Sequence, residues 1–138
     1  MLKGGRFIWF YWSQAKHAEL KDNNDNYSFS GEVSAFTYIH KGVTHKRSVV
    51  KTKGVPVWEI NDEVTNLPVG MQMRQLWHVL TPLLKKIKIT ASDSKQEITP
   101  QKQEGWYSSK YGDKEKDTEF VFSADANTIK THIEIKDK

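Results

Sequence analysis

Near the C-terminal end of the chain, Ile129, Thr131, Ile133 and Ile135 alternate with Lys130, His132, Glu134 and Lys136. A period of two sends successive side chains to opposite faces of an extended strand, whereas a helix would need apolar residues three or four apart. This is the cleanest amphipathic strand in the sequence, and weaker versions recur along it. Residues 45–52 centre on Val49-Val50, Val55 and Val57 alternate with Pro56, Trp58 and Ile60, Ile87 and Ile89 alternate with lysines, and Phe120 and Phe122 flank Val121. Short β-branched or aromatic runs broken by polar turn clusters predict strands joined by turns.

Further strands are expected at residues 7–12, aromatic throughout and so needing cover on both faces, and at residues 34–40, where Phe36 and Tyr38 oppose Ala35, Thr37 and Ile39. Lys41-Gly42-Val43-Thr44 reads as a hairpin link between residues 34–40 and 45–52, with His40 and His45 facing each other across it. Asn61-Asp62 is expected to end the strand that begins at Val55. Residues 71–86 are ambiguous, because Met73, Leu76, Leu80, Leu84 and Ile87 also fit helical spacing. Pro82 opposes a long helix, so a strand is preferred, with Met71, Met73, Trp77 and Val79 on one face and Arg74, Leu76, His78 and Leu80 on the other. Residues 21–27 and 91–104 are polar and read as loops. About eight or nine strands with little helix predict an all-β fold, an antiparallel β-sandwich or jelly roll.

At 138 residues the chain is the size of one domain, expected to span 1–138. It has no cysteine, which excludes a disulfide framework, a cysteine-based zinc site and a thiol nucleophile. The longest apolar run, residues 7–12, is far short of the roughly twenty residues of a membrane-spanning helix, so no membrane partner is expected. Met1-Leu2-Lys3-Gly4-Gly5-Arg6 leads straight into that aromatic run, as if the chain were a segment of a larger protein in which the strand is interior.

The net charge of +4 is uneven: residues 1–54 hold nine Lys or Arg against four acids, whereas residues 92–138 hold eight against ten. A basic first half attracts polyanions, and sign alone does not choose among them. No Gly-x-Ser-x-Gly elbow and no glycine-rich phosphate loop is present. Among the five histidines, no pair has the spacing that presents two metal ligands on one face. Glu59, Asp62 and Glu63 have no identifiable acid partner and read as a solvated turn.

Two groups of residues stand out. Trp106, Tyr107 and Tyr111, in Gly105-Trp106-Tyr107-Ser108-Ser109-Lys110-Tyr111-Gly112, could stack on sugar rings, or Trp106 and Tyr107 could plug one end of the sandwich. In His45-Lys46-Arg47, His45 and Arg47 share one strand face, where the guanidinium fork could grip a ligand carboxylate or pair with Asp62 or Glu63 of a neighbouring strand.

Five motifs in order resemble the C-terminal part of the heparinase II/III-like family: Trp12-Ser13-Gln14-Ala15-Lys16-His17, Gly42 to Arg47, Trp58 to Glu63, Met73 to His78 with Pro82, and Gly105 to Glu115. The resemblance spans about residues 7–135 and is carried by the order rather than by any single motif. It implies a β-sandwich that follows an α/α toroid in a polysaccharide lyase, acting by β-elimination on acidic, uronate-containing polysaccharides such as glycosaminoglycans. In such enzymes a metal or polar groups neutralise the uronate carboxylate while Tyr or His moves the protons.

The family's His-x-His-x-Asp metal motif, its Asp-Pro-Gly turn and its Ser-His-Asn strand are absent, and Lys16-His17-Ala18-Glu19-Leu20 departs from the Glu-His-Asp-Gly-Tyr of many relatives. No catalytic or metal residue is carried over. The resemblance therefore implies a fragment inactive alone, with a divalent metal such as zinc bound, if at all, by residues of the parent outside this chain. The implied partners are an acidic polysaccharide and the N-terminal toroid, not nucleic acid, and the implied compartment of the parent is periplasmic or secreted. The alternative is a free-standing carbohydrate-binding sandwich using Trp106, Tyr107, Tyr111, His45 and Arg47.

Overall fold

A computed structural model describes residues 2–3, 9–10, 12–34 and 40–136. Two short strands, β1 (Leu2–Lys3) and β2 (Trp9–Phe10), pair with each other. The main body follows as β3 (Gln14–Asp22), β4 (Asn26–Ser34), β5 (Thr44–Thr52), β6 (Val57–Thr65), β7 (Met73–Val79), β8 (Ile87–Ser92), β9 (Glu97–Ile98), β10 (Gln101–Tyr107), β11 (Glu115–Ala124) and β12 (Thr128–Ile135). One 3-10 turn, Thr81–Leu83, carries Pro82. The seven-stranded sheet runs β3-β4-β5-β6-β12-β8-β9 and the three-stranded sheet β10-β11-β7, with every pairing antiparallel. This is the expected all-β sandwich.

Alternation decides the layers. Ile129, Thr131, Ile133 and Ile135 of β12 point inward together with Ile60, Asp62 and Val64 of β6, their register neighbours. From the other sheet, Met73, Gln75, Trp77 and Val79 of β7 and Phe122 and Ala124 of β11 face them. The core gathers Val43, Val64, Met73, Ala91, Phe122, Ala124 and Ile129, with Ile129 and Phe122 wholly buried. The chain's last strand inserts between β6 and β8, so the most amphipathic segment occupies a central position where its apolar face is covered.

Several expectations need correction. The β6 strand does not stop at Asn61-Asp62 but continues to Thr65, because Asp62 is an inward-facing, buried residue. Glu59, Asp62 and Glu63 therefore lie on a strand and not in a solvated turn. The polar segments 21–27 and 91–104 are not loops throughout. The first contains the end of β3 and the start of β4, and the second the end of β8, β9 and most of β10. Edge and outward-facing positions can be polar without ceasing to pair, and all nine residues of β3 are exposed. The partner of β5 is β4, with Val33 opposite His45, rather than a strand at 34–40. Residues 35–39 of that expected strand, and Phe7, Ile8 and Tyr11 of the aromatic one, lie outside the described residues.

The two sheets differ in width, and β3 and β4 form a wing of the seven-stranded sheet on which the inner-face residues Leu20, Tyr27 and Phe29 are exposed. An edge device protects its rim: β3 is bulged between Lys16 and Glu19, with His17 in the left-handed region at φ 54°, which interrupts the row of groups that another strand could pair with. Stability is expected to concentrate away from the wing. Ile129→Ala should cost about 3 kcal/mol in urea unfolding, and Leu20→Ala on β3 less than about 0.5 kcal/mol.

Candidate functional site

Three inward rows of apolar residues are each interrupted by one polar residue: Asp62 between Ile60 and Val64, Gln75 between Met73 and Trp77, and Thr131 between Ile129 and Ile133. The fold brings these three together. The Asp62 carboxylate is 1% exposed and accepts four hydrogen bonds. His45 Nε2 lies 2.7 Å and Arg47 Nε 2.6 Å from Oδ1, while Arg47 Nη2 lies 2.9 Å and Gln75 Nε2 2.6 Å from Oδ2. The Gln75 oxygen in turn accepts from Trp77 Nε1 at 2.8 Å and from Thr131 Oγ1 at 2.6 Å. Arg47 also lies over the Trp77 ring, 5.7 Å from its centroid.

The network links β5, β6 and β12 of one sheet to β7 of the other. Burial raises the proton affinity of the Asp62 carboxyl, but the hydrogen bonds from His45, Arg47 and Gln75 and the Arg47 charge outweigh it and hold the group well below the usual carboxylate range. His45 and Arg47 share a strand face as expected, and Asp62 is the partner that occupies the Arg47 fork. Trp77 lies on the face expected of it, while Gln75 and Thr131 were not expected in a polar network; their signal was a hydrogen-bonding residue at an apolar phase of its row.

A second cluster sits on the outward face of the three-stranded sheet. His78 Nδ1 lies within hydrogen-bond distance of Asp117 Oδ2 at 3.0 Å, and its Nε2 lies 3.1 Å from Glu119 Oε1. Gln103 donates to Glu119. Asp117 and Glu119 are buried, and Asp117 Oδ1 has no hydrogen-bond partner among the described residues. That oxygen lies over Gly105, where a Cβ would stand 2.1 Å from it. Among the described residues no group of three or more His, Asp or Glu is arranged to hold a metal ion.

The expected aromatic group does not converge. Trp106 and Tyr107 are consecutive on β10 and face opposite sides. Trp106, 47% exposed, lies beneath Lys114, whose Nζ is 3.7 Å from the ring centroid, with Lys116 beside it. Tyr107, 39% exposed, shares the outward face with Glu115, Asp117 and Glu119. Tyr111 is fully exposed in the connection between β10 and β11. Trp106 lies on the inward phase of β10 and Tyr107 on the outward one, so the two do not close one end of the sandwich together.

No family model matches the chain, and no curated protein matches it. Among solved structures, one titled as a heparinase III gene product matches with a TM-score of 0.65 and 16% identity, over 91% of this chain and 22% of that one. A second of the same title, with methylated lysines, matches with a TM-score of 0.62 and 17% identity, over 91% of this chain and 21% of that one. The chain thus has the fold of a region of heparinase III and spans about a fifth of its length.

Two measurements test these clusters. A carboxylate whose folded-state proton affinity is depressed stabilises the fold above the unfolded value of about 3.9, and that stability is lost as pH falls below it. Asp62→Asn should therefore cost about 3 kcal/mol at pH 7 and lose less further stability than the parent between pH 5 and pH 3, measured by urea unfolding. Gly105→Ala should lower stability by about 1–3 kcal/mol, because the added methyl displaces Asp117 from a buried site that His78 holds.

Proposed function

We propose that the chain is the C-terminal β-sandwich of a larger polysaccharide lyase of the heparinase II/III type, following a helical toroid. It serves there as scaffold and as one wall of the cleft that receives an acidic polysaccharide. The observation that carries this is the fold likeness to structures titled heparinase III, which extends over 91% of the chain while accounting for 22% of the matched protein. The ordered motifs from Trp12 to Glu115 point the same way.

The substrate class follows from that likeness and from the charge. Residues 12–54 carry seven Lys or Arg against four acids, and a sulfated, uronate-containing glycan is a polyanion. The outward face of the three-stranded sheet, with Glu115, Asp117 and Glu119 in one row, is the less favourable side for such a polymer. The wing of β3, β4 and β5 is therefore the side on which substrate is met. The protons of a β-elimination are moved by residues of the parent outside this chain, as is any metal chemistry. The parent acts in the periplasm or outside the cell, where such polymers are found.

The test uses the 138-residue chain with heparin, heparan sulfate and alginate. Binding to at least one of these is expected, weakening as salt rises, with no growth of the ultraviolet absorbance of an unsaturated uronate product. Turnover by the chain alone would overturn the claim of inactivity. Absence of binding to all three would overturn the acidic polysaccharide as ligand.

A further inference from the structure

The inner face of the wing combines an aromatic surface with cations at regular register positions. Cross-strand partners place Leu20, Phe29 and Val49 in one row, Asp22, Tyr27, Lys51 and Trp58 in the row on one side, and Gly31, Arg47 and Asp62 in the row on the other. Phe29 is 41% and Tyr27 46% exposed, although both belong to the face whose continuation forms the core. Gly31 shapes the Phe29 ring, which extends across it: a Cβ at Gly31 would stand 3.1 Å from Phe29 Cζ. The ring thus lies along the strand with one face to solvent.

Three cations accompany the aromatics. Lys51 Nζ lies 4.9 Å from the Trp58 centroid, Lys53 Nζ 4.6 Å from that of Tyr27, and Arg47 lies over Trp77. Lys53 is paired with Asp22 and Arg47 with Asp62, but each keeps further donors. The Arg47 guanidinium has five N–H groups, and Asp62 occupies two of them. Among the described residues Lys51 forms no ion pair; it donates to the Thr52 and Val55 carbonyls and has a third N–H. Along β5, Lys51 and Arg47 each stand two residues from Val49, the partner of Phe29, so their backbone positions lie roughly 7 Å from that of Val49 on either side. The surface opens on a cleft of about 420 Å³ between β7 and the seven-stranded sheet, lined by Arg47, Val49, Trp58, Trp77 and isoleucines of β8 and β12. That is within the usual range of roughly 300–1,000 Å³ for ligand sites.

We infer that Phe29, with Lys51 and Arg47 on either side of it, is a subsite for an acidic glycan: one sugar ring stacks on Phe29 while carboxylate or sulfate groups of its neighbours meet Lys51 and the free edge of Arg47. This rests on the function proposed above and adds the place on the molecule. A stacking ring selects for a flat apolar sugar face and the cations for negative charge, so neither a neutral glycan nor a non-glycan polyanion satisfies both.

The experiment measures binding of the whole chain to heparin oligosaccharides by calorimetry, with dextran and polyglutamate as comparison polymers. Phe29→Ala is expected to lower heparin affinity at least about fivefold, and Lys51→Ala about threefold or more with a shallower salt dependence, while Phe29→Trp retains affinity. Circular dichroism and thermal unfolding check that each variant is folded; Phe29 is half-exposed, and Phe29→Trp separates a lost ring from a lost fold. Trp106→Ala serves as control and is expected to leave affinity unchanged. Binding that survives Phe29→Ala and Lys51→Ala but falls with Trp106→Ala would overturn the subsite and leave the proposed function standing. Equal affinity for polyglutamate, insensitive to Phe29→Ala, would reduce the surface to a charge effect and overturn it as well. Failure of every variant and of the parent to bind any acidic glycan would overturn both.

Discussion

A carboxylate withdrawn from water costs several kcal/mol unless its oxygens are matched by donors in good geometry. Asp62 meets that condition with His45, Arg47 and Gln75, and the donors come from both sheets. The contact therefore fixes more than a local pair. It sets how β7 lies over β6 and β12, because Gln75 reaches Asp62 and Thr131 only when the two sheets are at one spacing and in one register. An all-apolar core could tolerate sliding; a buried anion with directional partners does not. Trp77 is tied to the same glutamine and lies beneath Arg47, so an aromatic wall of the cleft is held by the group that holds the sheets together.

The unequal width of the sheets has a functional consequence. Three strands cover only part of seven, and on β3 and β4 the inner face keeps the alternation of a core face while its Leu20, Tyr27 and Phe29 are exposed. In the wing that face carries Tyr27, Phe29, Lys51 and Arg47 rather than a continuous aliphatic surface. The outward face of the three-stranded sheet carries Asp117 and Glu119 beside His78.

Much of the fold was legible from alternation. The faces of β7 and β12 follow from period two alone, and Pro82 correctly ruled out a helix through residues 71–86. Where the reading failed, polarity had been taken as evidence of a loop. Asp62 was expected to end a strand because an isolated aspartate in a strand interior is unfavourable; Arg47, fifteen residues earlier, makes it favourable. Residues 91–104 were expected to be a loop because β10 has glutamine, lysine and glutamate at positions that an edge strand leaves in water. The candidate aromatics failed for a different reason. Trp106 and Tyr107 are adjacent in sequence, and adjacency in a strand separates side chains rather than joining them.

The sequence by itself determined that the chain pairs strands, which residues of most strands share a face, and that His45 and Arg47 point the same way, because all three depend on neighbours within a few residues. Only the tertiary structure decided that β12 lies between β6 and β8, that Asp62, Gln75 and Thr131 meet, and that Phe29 stays half-exposed. Those outcomes depend on contacts between segments from 13 to more than 70 residues apart, and a period of two carries no information about which distant strand a face will meet.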